Sequence, residues 1–241
     1  MAAASADDLR RLGDVDDAFL LGDALLVAPA VRPGTTSRTV PLPSGGWVSP
    51  WGDEVASGPD RLARVPAPLP RVPLLVRAGS VVPFDDGWRQ PQGCCAFDTD
   101  AHGRPPAGPD RLREPVSRDH APRRLAFHCW PTGRLAMADG PADLSGGWAA
   151  GTAIDDAGDG DGPCRVDRLT LSGVASGETA TCRWERDGDH PPPDRVRVVL
   201  HGWTAAAAEV DGRPVAVSGG TVDVPVFAEL RLHGLLPVAG P

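Results

Sequence analysis

Chemistry in this sequence would have to come from a small number of side-chain groupings. The most suggestive is the acidic run Asp155-Asp156-Ala157-Gly158-Asp159-Gly160-Asp161-Gly162. A calcium loop needs oxygen ligands at alternate positions, a turn glycine at the sixth and a bidentate Glu at the twelfth. Counted from Asp155, the third position is Ala157 and the twelfth is Val166. The pattern fails, and a solvated acidic turn is the better reading. The histidines and cysteines (His120, His128 beside Cys129, His190, His201, His233) lack the close paired spacing of a zinc site. No metal and no cofactor is therefore expected. There is no GxSxG elbow and no phosphate-binding glycine loop. Most acidic pairs fall in Gly/Pro-rich turns, where Asp is favoured for local hydrogen bonding. No catalytic residue can be named from these patterns.

Aromatic side chains offer a different chemistry. Seven tryptophans and no tyrosine raise the possibility of a sugar-stacking platform. Trp47 and Trp51 alternate with Val48 and Pro50, so they could share one face of a strand and are the candidates for sugar binding. In a small β domain such residues more often fill the core, and that reading outweighs the stacking one.

The elements that would position these groups are short and frequently interrupted. Glycine (29) and proline (27) are abundant in 241 residues, which calls for many turns, as in an all-β protein. Leu9, Leu12, Val15 and Phe19 predict a short helix within residues 7–20, weakened by Gly13. Ala24 to Val31 reads as a buried strand closed by Pro33-Gly34. Between Ser37 and Pro83, strand-like pieces recur at Arg38–Leu42, Trp47–Trp51, Leu62–Val65, Leu74–Arg77 and Ser80–Val82. Residues 85–123 are polar, Pro- and Gly-rich and aperiodic, a linker or surface excursion. Strand signals return at Leu125–Trp130. They continue through Val166–Leu171, Ala180–Glu185, Val196–Leu200, Val222–Val224 and Leu230–Leu232. Asp211-Gly212 is a strong hairpin turn between Ala208–Val210 and Pro214–Val217.

A net charge of −8 repels phosphate backbones, so nucleic acid and anionic membranes are not expected partners. The longest apolar stretch, Leu25 to Val31, is too short to span a bilayer. Met1 to Asp8 has neither the basic nor the apolar region of a secretory signal. Five cysteines at irregular spacing fit reduced thiols in a cytoplasmic protein.

One long segment goes further. Phe19-Leu20-Leu21-Gly22, Leu25 to Pro29, Leu42 to Trp51 and Ala67 to Pro83 occur in an order and spacing that resembles glycoside hydrolase family 31. That family includes α-glucosidases and α-xylosidases. The resemblance covers Phe19 to Pro83 and is specific to the point where the chain leaves the catalytic barrel and enters a proximal β domain. His120-Ala121-Pro122, Arg183 to Pro193 and Val210-Asp211-Gly212-Arg213 are similar, more loosely, to the distal C-terminal domain. Ala153-Ile154 departs from the aromatic residue usual before the acidic turn.

The resemblance implies an all-β chain of two small antiparallel β-sandwich modules with a short N-terminal helical stub. Residues 1–31 would be a remnant of the barrel end and 32–84 the proximal domain, sharing strand 24–31. Residues 85–123 would be the excursion and 124–241 the distal sandwich. Family 31 enzymes retain configuration, which needs two carboxyl groups about 5 Å apart. Those carboxylates lie on a (β/α)₈ barrel, and a barrel alone takes about 250 residues. The nucleophile motif of the family does not occur here, so no catalytic residue carries over. The implied role is a non-catalytic C-terminal portion, inactive alone, with a catalytic barrel as partner in the same gene or a separate chain. A free-standing carbohydrate-binding module is the alternative.

Overall fold

In the computed structural model, the residues described are 10, 12–50, 55–57, 62–68, 72–85, 125–131, 149–156, 162–173 and 179–238. Eight strands come from the family-like half. They are β1 (Phe19–Leu21), β2 (Leu25–Val27), β3 (Ser37–Pro41), β4 (Gly46–Val48), β5 (Val55–Ser57), β6 (Leu62–Pro66), β7 (Leu74–Arg77) and β8 (Ser80–Asp85). After the segment 86–124 come β9 (Leu125–Trp130), β10 (Ala149–Asp156), β11 (Cys164–Gly173), β12 (Thr179–Gly188), β13 (Arg195–Leu200) and β14 (Trp203–Thr204). The chain then forms β15 (Ala207–Val210), β16 (Arg213–Val215), β17 (Val217–Ser218), β18 (Thr221–Pro225), β19 (Glu229–His233) and β20 (Leu236–Pro237). The all-β expectation holds.

The expected N-terminal helix does not extend over residues 13–20. Among the described residues helical backbone reaches only Leu12, and a turn follows in which Val15 N–H donates to Leu12 O at 3.0 Å. Phe19, Leu20 and Leu21 are extended and pair with Val27, Leu26 and Leu25. The reason is local: Gly13 weakens the helix, and Gly22, at φ 62°, begins a tight reversal that folds Phe19–Leu21 onto the next apolar run.

The first unit is a five-stranded sheet in the order β1-β2-β7-β4-β5, covered by the two-stranded ribbon β3-β6. Leu26, Val40, Leu42, Trp47, Val65 and Leu75 close this core from both layers. The alternation that buries Val40 and Val65 while exposing Thr39 and Arg64 is the period of a half-buried strand.

The second unit is an eleven-stranded sheet, β16-β15-β19-β12-β11-β10-β8-β9-β13-β18-β17. In a flat sheet β9 and β12, four steps apart, would be separated by roughly 19 Å. Instead the rings of Phe127 on β9 and Trp184 on β12 stand 5.3 Å apart, edge to face. The sheet is folded over on itself, and its two halves enclose one core containing Cys129, Leu171, Cys182, Val198, Val224, Leu230 and Leu232. Most pairings are antiparallel, but β10 runs parallel to β8 and β13 parallel to β9.

Ser80–Val82, read from the sequence as the end of the first module, forms β8 and hydrogen-bonds into the second sheet. The chain crosses at Gly79, whose φ of 84° suits glycine and whose N–H donates to Trp130 O at 2.7 Å. Val76 of the first sheet then packs with Val82 and Trp130 of the second. That cluster is the seam between the two units.

Candidate functional site

Trp47, one candidate for sugar stacking, is a core residue: it is 0% exposed. Its indole N–H donates to Pro43 O at 3.0 Å and the Arg77 guanidinium lies 4.5 Å over its ring. No face remains for a sugar. Trp51 lies outside the described residues, as do Trp88, Trp148 and the centre of the acidic run.

The acidic run begins at the end of β10, and Asp155 there belongs to a buried charge cluster. Alternation on β11 turns Arg165, Asp167, Leu169 and Leu171 to the inside, so an arginine and an aspartate enter the core together. Their side chains are 1% and 0% exposed. Arg165 Nε donates to both Asp167 oxygens, at 2.9 and 3.1 Å. Nη1 donates to His190 O and Pro191 O, at 3.1 and 2.6 Å, and Nη2 to Asp155 at 3.1 Å. Trp184 Nε1–H donates to Asp167 at 2.9 Å. Two carboxylates thus converge, but on one guanidinium that has claimed both. A buried charge survives only when paired and hydrogen-bonded in this way. The arrangement ties β10, β11, β12 and the loop at His190 together and offers no open acid–base pair.

A second cluster lies on the outer face of the large sheet. β9 alternates, sending Phe127 and Cys129 inward and His128 and Trp130 outward. Val199 of β13 pairs with His128, which brings His201 alongside at the strand's end, its N–H donating to Cys129 O at 2.9 Å. His128 Nδ1 and His201 Nε2 are 2.9 Å apart. The His201 ring stacks on Trp130 at 4.1 Å with an interplanar angle of 3°, and Phe84 of β8 lies 4.5 Å from His128. The sequence reading treated these histidines singly. They are 73 positions apart, and only strand register could have joined them.

Among the described residues no cluster of three or more His, Cys, Asp or Glu could hold a metal ion. Cys129 and Cys182 are buried; burial pushes the Cys129 thiol up to about 12, and burial followed by the Cys129 neighbour raises Cys182 well above its ordinary value. No described helix is long and apolar enough to cross a membrane.

The first sheet ends differently. Its edge strand β1 is exposed along its whole length, with Phe19 at 53%, Leu20 at 38% and Leu21 at 59%. Val31 and Val72 are also exposed. An edge strand normally carries charge or cover against association, and this one presents three large apolar side chains.

Comparison with known proteins finds relatives for this region. Residues 3–82 match the glycosyl hydrolase family 31 C-terminal domain. Over 70 residues the chain is 36% identical to alpha-glucosidase 2 of Bacillus thermoamyloliquefaciens, and over 61 residues 46% identical to a 1,3-alpha-isomaltosidase of Kribbella flavida. Those stretches are 29% and 25% of this chain but only 9% and 8% of the relatives. Among solved structures, the family 31 dextranase of Flavobacterium johnsoniae superposes on 90% of this chain with a TM-score of 0.60 at 16% identity. The cycloalternan-forming enzyme of Listeria monocytogenes does so on 92%, with 0.58 at 19% identity. The chain spans 27% and 19% of those two structures, and at such identity the likeness is one of fold. Over residues 3–82, then, this chain is similar to the C-terminal domain of glycosyl hydrolase family 31.

Proposed function

We propose that this chain is the non-catalytic C-terminal portion of a family 31 α-glycosidase, that it hydrolyses no glycoside alone, and that its partner is a catalytic (β/α)₈ barrel. The observation that carries the reading is the bare edge strand β1. Phe19, Leu20 and Leu21 lie inside the family match and are all exposed. By the sequence resemblance they would lie where a family 31 chain leaves its barrel. Contiguous exposed apolar surface of this kind marks an interface. In this reading residues 1–31 are the barrel end, 32–84 the proximal domain, 85–123 an excursion and 124–241 the distal sandwich, with strand Ser80–Asp85 bonded across the junction. The intact enzyme would cleave O-glycosyl bonds in the cytoplasm, and the two β units would brace its barrel.

The alternative, a free-standing carbohydrate-binding module, has less support. Among the described residues Trp47, Trp130 and Trp184 are buried and Trp203 is partly so.

The test has two arms. The 241-residue chain is assayed against aryl α-glucosides and α-xylosides, and no turnover above buffer is expected; hydrolysis that survives repurification would overturn the reading. The nucleotide sequence upstream of Met1 is then translated in all forward frames. A barrel with the family nucleophile motif is expected, and unrelated sequence there would favour the binding module.

A further inference from the structure

We propose that the groove between Asp17 and the loop joining β2 to β3 is a binding site for a small hydroxylated carboxylate, an acidic monosaccharide of the uronic type. The groove has a volume of about 340 Å³ and is lined by two arginines, one aspartate, three hydroxyl-bearing residues and Val31. That volume lies at the small end of ligand pockets, about 300–1,000 Å³, and suits one sugar ring rather than a chain of them. With a lining that is polar apart from Val31, the ligand must bring hydrogen-bonding groups of its own.

The groove is built on a fixed turn. Thr35 N–H donates to Arg32 O at 3.3 Å, and the Thr35 hydroxyl donates to the same carbonyl at 2.8 Å. Pro33 and Gly34, the latter at φ 77°, take the two central positions that a type II turn reserves for such residues. Arg38 is held as firmly. Its side chain is 11% exposed, pairs with Asp17 at 2.7 Å, and donates to Pro29 O at 2.6 Å. Both anchors stand in place before a ligand arrives, which lowers the ordering cost of binding.

Charge then selects the ligand. Asp17 neutralises Arg38, while the Arg32 guanidinium has no hydrogen-bond or ion-pair partner among the described residues. A planar cation with its donors uncommitted calls for a carboxylate, which the guanidinium fork grips through two parallel bonds. The hydroxyls call for more than a carboxylate. Ser37 Oγ accepts from Arg64 Nε at 3.2 Å and keeps its own O–H to donate. Thr35 has spent its donor and keeps lone pairs, and Thr39 has no partner among the described residues. Asp17, 45% exposed, accepts from a ligand hydroxyl but repels a ligand carboxylate. The charged end of the ligand therefore turns to Arg32 and its hydroxyls to Asp17. Val31, 62% exposed, adds an apolar wall for the C–H face of a ring.

The experiment titrates the full chain with glucuronate at low salt and follows the backbone amide resonances of Gly34 and Thr35. Glucose, which keeps the hydroxyls without the charge, and acetate, which keeps the charge without the hydroxyls, are titrated in parallel. Saturable shifts with glucuronate are expected, at concentrations at least about tenfold below those that acetate or glucose needs. Arg32 lies exposed on its turn, so Arg32→Gln should fold as the parent does and raise the half-saturation point by about tenfold or more. Added salt should weaken the binding as well, since an exposed pair is screened. No saturable shift, acetate or glucose binding as tightly as glucuronate, or an Arg32→Gln variant that binds unchanged would each overturn the site. None of these outcomes depends on whether a catalytic barrel is the partner of the chain.

Discussion

Replacing Asp167 with Asn removes one charge from the centre of the large sheet while keeping the side chain's volume. The carboxylate there accepts from Arg165 Nε through both oxygens and from Trp184 Nε1. An amide can still accept from one of them, but its NH₂ would face another N–H donor. Breaking a buried ion pair from one side costs about 3–5 kcal/mol, because the remaining charge is stranded. The lower end applies, since Arg165 keeps Asp155 at 3.1 Å and two backbone carbonyls. A loss of about 3 kcal/mol corresponds to a fall in melting temperature of roughly 6–12 °C for a chain of this size. Urea unfolding followed by tryptophan fluorescence measures it. A single-variant loss below about 1 kcal/mol would refute the claim that a stranded Arg165 charge sets the cost.

Three further outcomes are expected. Gly151→Ala puts a methyl group into the backbone carbonyl of Val81, which no rotamer can relieve, so a loss of about 1–3 kcal/mol is expected in thermal unfolding. A neutral result would show that β8 and β10 lie farther apart than described. In alkylation at pH 8 followed by peptide mass spectrometry, exposed Cys164 should be labelled, while buried Cys129, its thiol held near 12, and Cys182 should not; equal labelling of Cys129 and Cys164 would mean the core is open. Leu20→Glu on the bare edge strand should change stability by no more than about 0.5 kcal/mol. It should also lower binding of a hydrophobic dye, and a large destabilisation would show Leu20 to be core rather than interface.

Much of the secondary structure was legible in the residues. Leu74–Arg77 and Leu125–Trp130 are strands with the bounds expected of them. The Asp211-Gly212 turn adopts φ 47° and 79°, the left-handed pair that this dipeptide favours in a hairpin. Alternation failed as a guide on β11, where Arg165 and Asp167 occupy inward positions that an apolar pattern assigns to the outside. β10 was missed, since Ala-Ala-Gly-Thr-Ala carries little strand propensity. Its place is fixed by pairing, including the close approach of Gly151 to Val81. β1 was misread because three apolar residues at the end of a loosely helical run do not report their period, and only the Gly22 reversal decides the matter.

The sequence by itself determined the all-β class, the turn chemistry and the family that Phe19 to Pro83 resembles, because those depend on local propensity and on ordered motifs along the chain. The tertiary structure decided which residues meet. Trp47 is core, β8 crosses at Gly79 into the second sheet, Arg165 finds Asp155 and Asp167, and His128 finds His201 across 73 positions. Those encounters follow from strand register and from a large sheet folding over on itself, and no periodicity within a single strand encodes either.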